Sequence, residues 1–274
     1  MKLKLTIIAL MLTTLTAGAL TPQEMVMGAA YRVRGAAPVA EIGNAVDLDG
    51  STEWLNNTNN TAYSTRGTNT LMAWVKTSST NGNQRILTIE SNDGSGGYAQ
   101  FFIRLVSGAP SVFARGDLSA TAIFTDSAKI ADGNWHHVAG VINGTLGRAI
   151  LYVDGSVRGT NMASIFAVNT MQVLQIGAVF DLASPPTGGQ YFNGVIDEVS
   201  VHRVALSPSD IAEAYNSGTG KRINTLSAGT NNLSNLVHLD ETGTASTAYD
   251  SVTGVSMTGT NIGSGDWVAG KVPK

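Results

Sequence analysis

From Ile42 onward the chain is written in short apolar runs separated by Gly, Asn, Asp and Ser clusters. Runs rich in Val, Ile, Leu, Phe and Thr at this spacing predict an all-β sandwich. The predicted strands are Ala45–Leu48, Leu71–Lys76, Arg85–Glu90, Ala99–Leu105, Ser111–Ala114, His136–Ile142, Ala149–Val153, Gln172–Ile176 and Gly194–His202. Leu71–Lys76, His136–Ile142 and Val195–Val201 alternate with period two, as half-buried strands do. Asn143-Gly144 and Asp154-Gly155 predict tight type I′ turns, whose two central residues both need positive φ. One segment has a different pattern. In Leu206–Tyr215, Ser207 is a natural N-cap, Pro208 suits the first helical position and Asp210 suits the N-terminal dipole. Ile211, Ala214 and Tyr215 share a face that predicts a short helix lying on the sandwich, with Gly218 and Gly220 ending it.

Outside this block the chain divides further. Met1-Lys2-Leu3-Lys4 is a basic start, Leu5–Leu12 is apolar, and Ala17-Gly18-Ala19 is a small-x-small step. That is the pattern of a secretory signal peptide cut before Leu20; the alternative is a retained N-terminal segment. Residues 20–41 form an extension or linker, 42–220 the main sandwich and 221–234 a polar linker. Residues 235–274 return to apolar strands and turns.

Composition removes several function classes. The 274 residues are 43% hydrophobic and 14% charged, which is globular rather than disordered. A net charge of −3 with no basic block argues against a nucleic-acid partner. Cysteine is absent, so there is no disulfide framework, thiolate metal site or Cys nucleophile. No Gly-x-Ser-x-Gly elbow is present.

Five segments in order resemble the laminin-G-like jelly roll of the concanavalin-A-like lectin/glucanase group. They are Asn44–Ser51 (NAVDLDGS), Leu71–Lys76 (LMAWVK), Asp132–Ala139 (DGNWHHVA), Leu151–Gly155 (LYVDG) and Phe192–Val201 (FNGVIDEVSV). The resemblance covers about residues 42–216 and implies a two-sheet antiparallel sandwich with one short helix. Leu236–Gly243 (LVHLDETG), Ala248–Ser251 and Trp267–Val272 resemble the strands that open such a domain, yet they stand at the other end of this chain. Either the domain is circularly permuted or a truncated second repeat begins here. On both readings residues 236–272 are expected to pair beside Ala45–Leu48, in their own chain or donated to a neighbour as a route to homo-oligomers.

The candidate chemistry is sparse. Asp47 and Asp49, two apart on a strand, share a face. Such a pair could bind Ca²⁺, which makes Asp49 a candidate ligand although the oxygen spacing of an EF-hand is missing, and the resemblance implies a structural Ca²⁺ with Asp197 as the residue carried over. His136 and His137 are adjacent and face opposite sides, so they do not chelate one metal. The wider fold's glycanases need a Glu-x-Asp-x-x-Glu-type strand, and none exists here. Trp54, Tyr63, Tyr98 and Tyr191 sit in amide- and hydroxyl-rich stretches, the combination of flat apolar ring and hydrogen-bonding groups that saccharides need. The expected function is a non-catalytic, lectin-like binding or adhesion module displayed outside the cell, with a glycan or cell-surface polymer as partner. The alternative is a structural protein of a virion or extracellular filament, packed against neighbouring subunits at the virion surface.

Overall fold

The computed structural model describes residues 42–57, 68–91, 99–116, 121–162, 171–179, 189–229 and 232–274. Residues 1–41 and the positions of Tyr63 and Tyr98 lie outside them. In chain order the strands are β1 Ile42–Asp49, β2 Trp54–Asn57, β3 Thr68–Lys76, β4 Asn83–Ser91, β5 Gln100–Val106, β6 Ala109–Arg115, β7 Thr121–Thr125 and β8 Trp135–Asn143. They continue as β9 Arg148–Val153, β10 Ser156–Met162, β11 Met171–Ile176, β12 Asn193–His202, β13 Leu233–Val237, β14 Thr247–Tyr249, β15 Ser256–Thr260 and β16 Trp267–Pro273. The helix α1 spans Pro208–Tyr215. No helix of the described residues is long and apolar enough to cross a membrane.

These strands build two eight-stranded sheets. The first runs β10-β9-β8-β3-β12-β1-β16, with β13 also on β12, and the second runs β14-β15-β2-β11-β4-β5-β6-β7. Every pairing is antiparallel, for example Leu71 opposite Gly140 and Met72 opposite Ala139 between β3 and β8. The result is the expected jelly-roll sandwich with its C-terminal strands completing the sheets.

Alternation along β3 explains its unbroken apolar run. Leu71, Ala73 and Val75 enter the core between the sheets, while Met72 joins a second cluster under α1. Helix α1 covers the outer face of the first sheet with Ile211 and Ala214, and Tyr215 stacks on Trp74 at 5.7 Å. Its N-terminus is a capping box between Ser207 and Asp210.

The turns divide. Asp154-Gly155 joins β9 to β10 with φ of 51° and 73°, as a type I′ turn requires. Asn143-Gly144 does not make a two-residue turn. The β8–β9 connection has four residues, with positive φ at Gly147 and the Asn143 side-chain oxygen accepting from Leu146 N–H. Nor does the 221–234 stretch behave as a polar spacer: Ile223 and Leu226 are buried in the cluster under α1. The described residues from Ile42 to Lys274 belong to one compact unit.

The C-terminal strands are stitched in at a bulge in β12. Strand β1 pairs with β12 up to Ile196, and β13 takes over from Val199. The two residues between them are acidic. Asp197 is 2% exposed; its Oδ2 accepts from the N–H groups of Lys271 and Val272 in β16, and its Oδ1 from Glu198 N–H. Glu198, at φ 46°, accepts at Oε1 from His238 Nδ1 just beyond β13, at 2.7 Å. Gly270 is required beside this bond, because a Cβ there would lie 2.5 Å from Asn44 O and 2.8 Å from an Asp197 oxygen.

Candidate functional site

Three chain segments meet at one end of the sandwich. The end of β1 brings Asp49 and Gly50, the β3–β4 connection brings Ser79 to Asn83, and the lead into β12 brings Gln190, Tyr191 and Asn193. They enclose an open cleft of about 340 Å³, at the small end of ligand-site volumes. Internal hydrogen bonds make its walls. Asn193 Nδ2 donates to Asp49 O at 2.8 Å, Gln84 Oε1 accepts from Asn193 N–H at 3.0 Å, and Gln84 Nε2 donates to Ser79 O at 3.1 Å. Gln190 Oε1 accepts from Arg85 Nε at 2.8 Å. The side chains of Asn81 and Asn83 are exposed on the rim.

Of the four aromatic residues picked out by sequence, Tyr191 alone is placed in the cleft. It is half-buried and packs on a small apolar cluster of Trp54 and Ala178. Trp54 is not in a loop: it lies on β2 and is 8% exposed, so it supports Tyr191 from below and does not present a free face. Tyr63 and Tyr98 fall outside the described residues.

The outer face of the second sheet is polar and aromatic, which the sequence pattern did not bring out. Registered pairs carry Gln175, Thr88, Phe102, Phe113 and Ile123 across β11, β4, β5, β6 and β7 in one row. Phe102 and Phe113 stack with centroids 4.3 Å apart. The Arg85 guanidinium lies 3.2 Å from the Phe102 centroid and that of Arg104 5.3 Å from it. Beside this row buried Glu90 accepts from Gln100 Nε2 at 3.0 Å and from Gln175 Nε2 at 3.2 Å. Cross-strand register makes this face, so no single sequence window displays it.

The family model described as the concanavalin A-like lectin/glucanases superfamily matches residues 49–212. The chain belongs to this superfamily. No curated protein sequence matches it. Among solved structures, a Bacteroides ovatus protein described as carbohydrate binding is similar at a TM-score of 0.59 and 17% identity, over 85% of this chain and 63% of that one. The chain therefore spans just under two thirds of that protein's length. The heptameric pentraxin of Limulus polyphemus is similar at a TM-score of 0.51 and 18% identity, over 68% of this chain and 87% of that one. At these identities the likeness is one of fold.

A concanavalin A-like domain invites calcium, and the donors here do not suit it. Asp49 Oδ1 accepts from the N–H groups of Ser51, Thr52 and Glu53, and Oδ2 from the hydroxyls of Ser51 and Thr52. Burial pushes its pKa up slightly, but these hydrogen bonds outweigh it and hold the carboxyl well below the usual range. Five donors already occupy the lone pairs that a cation would need. Asp197 is likewise spent on three backbone N–H groups, and burial pushes its pKa up to about 7. The two residues lie at different levels of the β1–β12 ladder, since Asp49 pairs with Asn193. Among the described residues no three His, Asp or Glu side chains gather as a metal cage. His136 is held between Asp154 (Nδ1, 2.8 Å) and Asp132 (Nε2, 3.2 Å), which raises its pKa. His137 points the other way, into the packing beneath Tyr215.

Proposed function

We propose that the chain is a non-catalytic, lectin-like module displayed outside the cell, and that it binds glycans in the Tyr191 cleft. The observation that carries this is the cleft's lining: one aromatic ring braced by Trp54 and bordered by side-chain amides at Asn81, Asn83, Gln190 and Asn193. A sugar offers an apolar C–H face and a rim of hydroxyls, and a ring flanked by amides answers both. Much of the amide wall is already fixed by internal hydrogen bonds, so ordering costs little on binding. Membership of a superfamily of lectins and glucanases, and likeness to a carbohydrate-binding Bacteroides protein, support the same reading. Hydrolysis is disfavoured because glycosidases pair two carboxylates across the bond. In the cleft lining Asp49 is the one carboxylate, and both its oxygens are held by N–H and hydroxyl groups of residues 51–53. Export rests on the basic, apolar and small-residue order of residues 1–19.

The test is a glycan panel read by calorimetry with the unmodified chain, Tyr191→Ala and Asn83→Ala. Tyr191→Ala is expected to weaken the best ligand by about tenfold or more, roughly 1.4 kcal/mol, with Asn83→Ala smaller and its Tm unchanged. Affinity indifferent to both substitutions removes the cleft from the binding site.

A further inference from the structure

We propose that Arg104 anchors an oxyanion subsite beside the cleft, so that the saccharide bound there carries a carboxylate or sulfate. This rests on the glycan-binding reading of the Tyr191 cleft and names its ligand class. Arg104 on β5 stands opposite Arg85 on β4 and Ser111 on β6. Two like charges directly across a ladder repel each other, and neither is free to swing away, because both guanidinium groups lie against Phe102. Arg85 is occupied with Gln190. Arg104 joins none of the ion pairs among the described residues, and its Nε is buried with no hydrogen-bond partner. Burial alone lowers its pKa, with no acid nearby to restore it. The carboxylate sharing this face, Glu90, has both oxygens held by Gln100 and Gln175.

A half-buried guanidinium with unmet donors is costly, and ring stacking fixes its plane without accepting from its edge. Nε itself is covered, so the open end of the planar fork is its pair of terminal nitrogens, which suit a two-oxygen anion. Position links it to the cleft. Gln190, a cleft residue, is bonded through side chain and backbone to Arg85, and Arg104 is one strand further, about 5 Å away. On this proposal the saccharide runs from Tyr191 past Gln190 and Arg85, and a neighbouring acidic sugar meets Arg104.

Two measurements on the full chain test this. First, the arginine Nε–H resonances are followed by NMR while glucuronate or sulfate replaces chloride at constant ionic strength. The Arg104 signal, assigned by its loss in Arg104→Gln, is expected to shift with either anion or both. Second, affinities are compared for trigalacturonate against its methyl ester, and for a chondroitin sulfate oligosaccharide against its desulfated form. The pair that shows the preference identifies carboxylate or sulfate as the source. At least one acidic form is expected to bind tenfold or more tightly than its partner. Arg104→Gln should abolish that ratio while leaving the neutral form within about twofold, and Arg104→Lys should keep a smaller ratio. Equal binding of acidic and neutral forms, a ratio that survives Arg104→Gln, or an Arg104 resonance indifferent to both anions overturns the proposal. Failure of the cleft reading looks different: Tyr191→Ala then leaves all affinities unchanged while the Arg104 effects persist.

Discussion

Met257 tests whether the C-terminal strands share one core with the rest of the chain. It lies on β15, is fully buried, and belongs to the same inter-sheet cluster as Val46, Leu71 and Ile196. Its cross-strand partner on β14 is Ala248, and on the other side β15 pairs with β2 through Gly259 opposite Leu55. Met257→Ala removes three heavy atoms from a site whose nearest ladder neighbour is already small. Ala248, its partner across the ladder, is too short to reach in and close the cavity. Buried Met→Ala substitutions cost about 2–5 kcal/mol, and poor collapse places this one in the upper half, near 4 kcal/mol. For a domain of this size that lowers Tm by roughly 8–16 °C. Urea unfolding followed by far-UV dichroism and by tryptophan fluorescence is expected to show one coincident transition. Its midpoint should fall while its slope stays constant. A loss below about 1 kcal/mol, or an early transition seen by one probe alone, refutes a common core.

Two further outcomes follow from the titratable groups. Chelator leaves Tm unchanged, because Asp49 and Asp197 spend their oxygens on the chain itself; an ion held at 100 times its Kd would contribute about 2.7 kcal/mol, and a fall of that size on chelation contradicts this. Burial pushes His137 and His202 down from 6.5 to about 4, so each contributes stability that is intact above 6.5 and lost as pH falls towards 4, roughly 3 kcal/mol apiece. Asp197, raised to about 7, works in the opposite sense, losing stability as pH rises from about 4 to 7. Urea midpoints between pH 4.5 and 6.5 should therefore depend less steeply on pH in His202→Gln than in the unmodified chain, and equal slopes would show that His202 does not titrate in this window.

The fold was legible because most of its strands bury at least one face. The nine strands expected from pattern fall on β1, β3, β4, β5, β6, β8, β9, β11 and β12, all rich in buried apolar residues. Those that escaped notice lie at edges or are short. Strand β10 exposes or half-exposes every residue and so carries no apolar signal, and β2 hides a buried Trp54 in four residues next to an Asn-rich stretch. The site was less legible. Tyr191 stands out as an aromatic among polar residues, but Trp54 does too, and packing alone separates them. Asp49 and Asp197 look like metal ligands until their hydrogen-bond partners are counted. Those partners include Lys271 and Val272, more than seventy residues from Asp197 in sequence. Arg104 has no local signal at all: its meaning comes from Arg85 and Phe102 on the neighbouring registers.

The pairing of the C-terminal strands has a consequence for the cleft. Strand β1 ends in Asp49-Gly50, which form one cleft wall, and β1 is held on one edge by β12 and on the other by β16. Asp47 N–H donates to Asp266 O at 2.7 Å just before that wall, and Asn261 Nδ2 donates to Thr52 O at 3.2 Å just after it. The 49–53 turn is thus tied on both sides to residues beyond 260, while Asn193 on β12 holds its first residue, Asp49. Asp197 extends the same clamp inward by fixing β16 to the β12 bulge. A loop of this kind would normally be mobile, and mobility in a wall is lost affinity when a ligand has to order it. The C-terminal strands therefore do more than close a sheet edge: they hold the walls of the cleft in place.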